Sequence, residues 1–138
     1  MKKTLSAVLA CAIILLSLAA CTPQIYDGKV TVVIGTQEPT EYTLDYNADD
    51  ITDGLLSVLT LLNISFNESG GFLYSVGELA PTAPEYIYIY TSLSENDDTS
   101  SYATTLEYRG VTLTSVGVGA RDMYIADGGI IYIGTIIY

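Results

Sequence analysis

An α+β fold, a mixed sheet packed on one amphipathic helix, is predicted by three observations. A single stretch repeats its apolar residues near the 3.6-residue period: Ile51, Leu55, Leu56, Val58, Leu59 and Leu62 share one side, and the pattern ends near Asn63. The other structured stretches are rich in Tyr, Ile, Val and Thr, with Gly, Pro, Asn or Asp between most of them, as short strands and turns require. Two of these strands precede the helix and the rest follow it, so one sheet has to be assembled from chain on both sides of the helix.

In chain order the first element is an export signal. Lys2 and Lys3 give a positive start, Leu5 to Leu18 is an apolar or small run, and Leu18-Ala19-Ala20-Cys21 is a small-residue cleavage site ending in a thiol. The tetrapeptide resembles the lipobox of bacterial lipoproteins, in which the cysteine receives a diacylglycerol and becomes the new N-terminus. That resemblance implies a lipoprotein signal peptide over residues 1–20, lipid attachment at Cys21, and an extracytoplasmic location anchored to the cell membrane. Two acyl chains hold stably where one does not, since each buried CH₂ contributes about 0.8 kcal/mol. A plain secretory signal would leave the protein soluble, and an uncleaved segment of this length could just span a bilayer. Residues 21–28 then read as a lipidated tether, its extended reach after Cys21 about 23 Å at most.

Residues 29–138 form the expected domain. Lys29 to Ile34 and Glu41 to Tyr46 make a hairpin across Gly35 to Pro39, and Tyr42, Leu44 and Tyr46 alternate with Glu41, Thr43 and Asp45 as in a half-buried strand. Asp49, Asp50 and Asp53 stand where carboxylates cap a helix N-terminus. After the helix, strands are expected over Gly71 to Val76, Glu85 to Thr91, Thr104 to Tyr108, Val111 to Thr114 and Ile130 to Ile137. Arg109-Gly110 and Asp127-Gly128-Gly129 mark tight turns, and Gly117-Val118-Gly119 reads as a bend. Ser92 to Ser101, with Glu95, Asp97 and Asp98 among serines, has no apolar period and reads as a mobile, solvated surface loop.

Composition excludes several functions. Five basic against sixteen acidic residues give a net charge of −11, and loss of Lys2 and Lys3 would make the mature chain more acidic still. Such a field repels phosphate, so no nucleic-acid partner is expected, and contact with the membrane falls to the lipid. The chain has no His, and its two Cys are Cys11, in the signal, and Cys21. No Ser-His or Cys-His pair, thiolate site or histidine metal site can be built after cleavage, so the expectation is a protein that is not an enzyme, with no metal and no required cofactor.

Hairpin, one helix, then several strands is the element order of a β-grasp domain. The chain resembles a specific family at Ile51-Thr52-Asp53-Gly54-Leu55-Leu56, at Gly71-Phe72-Leu73-Tyr74-Ser75-Val76, and from Gly117-Val118-Gly119 through Asp127-Gly128. These segments look like the bacterial domains related to the C-terminal domain of transcobalamin and intrinsic factor, the soluble-ligand-binding β-grasp domains. The resemblance implies a ligand-capturing module and puts cobalamin or another corrinoid first among ligands.

Tyrosine carries the positive signal, with twelve in the chain and no Trp. Tyr86, Tyr88 and Tyr90 alternate with Ile87 and Ile89, so the three rings share one face and the isoleucines the other. With Tyr74 they are the candidate ligand-binding residues, since a tyrosine offers a large flat area and a hydroxyl at low entropy cost. The same rings equally suit the solvent face of an antiparallel sheet. A small-molecule binder should line a concave pocket with tyrosines, whereas a module that docks a surface protein should show a flat stripe or an open sheet edge.

Overall fold

In the computed structural model, which describes residues 24–137, Gly28–Ile34 (β1) and Thr40–Tyr46 (β2) form the expected antiparallel hairpin. Cys21 and the signal segment lie outside the described residues. The helix Gly54–Leu61 (α1) follows, then Phe66–Ser69 (β3), Phe72–Val76 (β4), Glu85–Thr91 (β5), Thr105–Tyr108 (β6), Val111–Ser115 (β7) and Ile130–Ile137 (β8). Six strands join in the order β2-β1-β8-β5-β7-β6, and β3 with β4 makes a separate hairpin. Strand β1 runs parallel to β8 and every other pairing is antiparallel, so the mixed sheet with one helix is the α+β arrangement expected. Strand β3 is an addition, because Asn67-Glu68-Ser69 has weak strand propensity.

The inner face of the sheet meets the helix. Leu55, Leu56, Val58 and Leu59 pack with Val30 and Val32 of β1, Ile131 and Ile133 of β8, and Leu73 and Val76 of β4. Tyr42 and Leu44 of β2 and Ile87 and Ile89 of β5 border this core, while Tyr46 lies in it, as the alternation of both strands predicts.

The helix begins differently from expectation. Asp49 and Asp50 belong to a separate 3₁₀ turn, Ala48–Asp50, and Asp53, although it precedes the helix, makes no side-chain capping bond. Ser57 instead holds the entering chain from inside the helix: its Oγ accepts the N–H of Thr52 at 3.1 Å and of Asp53 at 2.8 Å. Gly54 takes φ +53°, and a Cβ there would lie 2.7–2.8 Å from the carbonyl oxygens of Ala120, Arg121 and Met123. Only glycine fits this crossing of the helix start by the 120–123 turn. The helix ends as predicted, with Asn63 at φ +56° and Ile64 N–H returning to Leu59 O at 2.9 Å.

The outer face is not the open stripe that the tyrosine alternation suggests. Strand β7 pairs with β5 only at Tyr90 and Thr91, and the β6–β7 hairpin then crosses the sheet. Its tip reaches the far edge, where the Tyr108 hydroxyl donates to Glu41 Oε2 at 2.6 Å and Arg109 pairs with the same carboxylate at 2.9 Å. The distance fits: β5 to β2 is three strand spacings, roughly 14 Å, and the five residues of β7 extend roughly 16 Å. Tyr108 meets Tyr132 of β8 edge to face at 5.6 Å, and Val33 and Leu113 are fully buried although neither belongs to the helix-side core. The sheet therefore has a second, smaller core on its outer side.

The stretch from Ser92 to Ser101 is likewise not a free loop. Ser94–Asn96 is a 3₁₀ turn, and buried Asn96 clasps the backbone of Tyr124, donating to its carbonyl at 2.8 Å and accepting from its N–H at 2.7 Å. Periodicity cannot reveal such an anchor, because a single amide side chain provides it.

Candidate functional site

Where β7 leaves the sheet, a groove of about 780 Å³ opens beside β5. One wall is β5 itself, from Tyr86 to Ile89. Residues of both faces of the strand line it, so the groove runs along the strand edge and not over one face. The opposite wall is the β3–β4 hairpin tip, Gly70 to Leu73, together with the chain from Val116 to Asp122.

Glycines bring those two wall segments together. Ala120 N–H donates to Gly71 O at 2.9 Å, and a Cβ on either Gly71 or Gly119 would sit 3.2 Å from the other's Cα. Gly70 and Gly71 form the hairpin tip at φ +61° and +89°, and a side chain on Gly71 would both strain the turn and push Gly119 away. Glu68 completes the joint. Its Oε1 accepts Gly71 N–H at 2.8 Å and its Oε2 pairs with Arg121 at 3.3 Å, with only 12% of the Glu68 side chain exposed. The bend at 117–119 expected from sequence is therefore a wall of the site.

The lining is apolar and aromatic with an acidic rim. Phe72 is 73% exposed and Val118 40% exposed, both on the wall facing β5. Asp98 and Asp122 also line the groove, against a single cation, Arg121, that Glu68 already engages. Hydrogen bonds from the Ser100 side chain and backbone hold the Asp98 carboxyl below the usual carboxylate range, with the N–H bond at 2.9 Å.

Of the sequence-predicted site residues, Tyr86 and Tyr88 line the groove, their rings 6.1 Å apart and nearly perpendicular. Tyr90 continues the row, 5.1 Å from Tyr88, but stands away from the groove with its hydroxyl bonded to Thr104 at 3.2 Å. Tyr74 projects from β4, 61% exposed, and is not part of the lining. Phe72, Val118 and the open edge of β5 were missed by sequence reasoning. The Gly-Gly-Phe run was the available signal for Phe72, whereas an unpaired strand edge leaves no mark in composition.

No family model matches the chain, and no curated protein matches it in sequence. Solved structures share its fold. One is a protein of Ruminococcus gnavus, provisionally called metal-binding, with 17% identity and a TM-score of 0.53 over 83% of this chain and 99% of that one. At that identity the likeness is one of fold alone. Among the described residues no group of three or more His, Cys, Asp or Glu gathers as a metal ion would need. Several carboxylates bind backbone instead, Asp27 to Ala48 N–H at 2.7 Å and Asp127 to Lys29 N–H at 2.9 Å. Among the described residues, too, no helix is long and apolar enough to cross a membrane.

Proposed function

We propose that this chain is a β-grasp-like lipoprotein domain, held outside the cell membrane through Cys21, that captures or presents a ligand in the groove beside β5 without catalysing a reaction. The groove carries the reading: its volume lies within the roughly 300–1,000 Å³ of ligand pockets, and its apolar lining has a few polar groups at the rim. Parallel β1 and β8, adjacent inside the sheet, with one helix across the inner face, support the β-grasp assignment. The absence of His from the sequence supports a binding role over an acid-base one.

Cobalamin and cobinamide are the ligands to test first, as the transcobalamin-like segments suggest. Tyr86 and Tyr88 would supply ring contacts, Asp98 and Asp122 hydrogen-bond acceptors, and no histidine of this chain would reach the cobalt. Calorimetric titration of the protein with each corrinoid is expected to give saturable heat, and Tyr88→Ala is expected to weaken binding about tenfold while lowering stability little. No heat at high micromolar corrinoid would remove the corrinoid from the proposal.

A second reading, docking of another surface protein through a sheet edge, is favoured by one specific observation. Strand β5 pairs with β8 over its whole length but with β7 only at Tyr90 and Thr91, so β7 does not continue along the half of β5 that begins at Glu85.

A further inference from the structure

We infer that the groove receives an extended polypeptide segment carrying lysine or arginine, which adds to the sheet as a strand along β5. This inference rests on the sheet-edge reading and names its partner.

The backbone argues first. Ser92 N–H donates to Ile130 O at 3.0 Å, which fixes the even-numbered residues of β5 as those bonded to β8. The odd-numbered residues face the other way, and Val116 N–H accordingly reaches Ile89 O at 3.0 Å. Two residues earlier, the N–H and C=O of Ile87 point the same way, into the groove, where β7 no longer runs. An extended peptide supplies the matching acceptor and donor, and a corrin or sugar ring does not repeat them at strand spacing.

Side chains and charge narrow the class further. Glu85 and Ile87 turn their backbone groups to this edge, and the stretch from Glu85 to Tyr88 spans roughly 13 Å, the length of about four peptide residues. Alternate side chains of such a strand would meet Phe72 and Val118 on the opposite wall. The rim presents Asp98 and Asp122, while Arg121 is held by Glu68, so the local field favours a cationic segment within a chain that is strongly acidic throughout. Long open edges are ordinarily blocked by lysine, proline or a covering loop, and this one opens onto a cavity instead.

The test uses the full chain in neutral detergent and three labelled octapeptides of alternating valine and threonine. One carries two lysines, one carries glutamate in their place, and one is the lysine peptide N-methylated at alternate residues. Fluorescence anisotropy is expected to show the lysine peptide binding at least tenfold more tightly than either of the others, with slowed amide exchange at Ile87 and Ile89. Asp98→Lys with Asp122→Lys, both at the rim, should invert the preference between lysine and glutamate peptides. Equal binding of lysine and glutamate peptides would overturn the cationic assignment. Protection at β2 or β6 in place of β5 would overturn the site while leaving sheet-edge docking intact. No binding of any peptide at millimolar concentration would sink both.

Discussion

Replacing Leu113 with alanine tests whether the β6–β7 hairpin builds a real second core or merely lies across the sheet. Leu113 is fully buried on β7, on the side away from the helix, with the hairpin tip fixed beyond it at Glu41. Truncating a packed leucine costs about 2–5 kcal/mol, from lost transfer energy plus the cavity left behind. We take about 3 kcal/mol, because an edge hairpin can settle partly into the space. For a domain of this size that lowers Tm by roughly 12 °C, at about 4 °C per kcal/mol. Urea unfolding followed by tyrosine fluorescence should show a lower midpoint at unchanged slope, close to the effect of Leu59→Ala in the helix-side core. A leucine on an open tyrosine stripe would change stability by no more than about 0.5 kcal/mol. A measured loss below about 1 kcal/mol would refute the second core.

Gly54→Ala should destabilise by about 2 kcal/mol or more in the same assay, because the left-handed backbone alone costs alanine about 1 kcal/mol and three carbonyl oxygens stand where its Cβ must go. Asn96→Ala should lower stability by about 2–4 kcal/mol, since it strips the buried backbone of Tyr124 of both partners, and unchanged unfolding would show that the turn is peripheral. Alkaline titration should weaken the fold. The hydrogen bond to Glu41 raises the Tyr108 hydroxyl above its ordinary value, so the folded state keeps the proton longer. Its contribution is full below about pH 10 and fades as pH rises through the folded value. Tyr108→Phe should flatten that alkaline limb of a stability-pH curve, and an unaltered limb would exclude the latch as its source.

Most of the fold was legible because burial imposes a period. Tyr42, Leu44 and Tyr46 alternate because one face of β2 meets the helix side, and Leu55, Leu56, Val58 and Leu59 recur because one side of α1 meets the sheet. Arg109-Gly110 was legible for a different reason: both residues adopt positive φ, at +48° and +77°, as a two-residue hairpin demands. What failed were places where one long-range bond decides the structure. Asn96 looks like any polar loop residue until Tyr124 is beside it, and Ser57 looks like an interior helix serine until it accepts two amides from the residues before the helix. The site was half legible. Tyr86 and Tyr88 were named from alternation, but the groove beside them depends on where β7 stops pairing, and register between distant strands is not written in either strand.

The covered outer face and the open groove follow from the same stagger. Strand β7 meets β5 at its last two residues, and from there its remaining length turns across the outer face toward Glu41. The chain that would continue beside Tyr88 to Glu85 is Gly117 onward, and after Val116 N–H reaches Ile89 O at 3.0 Å it turns away to the hairpin tip, where Ala120 N–H donates to Gly71 O at 2.9 Å, so β7 does not pair along that stretch of β5. The segment from Ser92 to Ser101 fixes the stagger: Asp98 N–H binds Ser115 O at 2.8 Å, and Gly117 N–H binds Asn96 O at 2.9 Å. A Cβ on Gly117 would come within 2.7 Å of the Asp98 Cα, so the clamp closes only on glycine. Asn96 then ties the clamp to Tyr124, near the 120–123 turn that sits on Gly54. The groove's position is thus tied to the helix start through the Asn96 side chain and the backbone bonds on either side of it, and its strand edge is held in place whether or not anything occupies it.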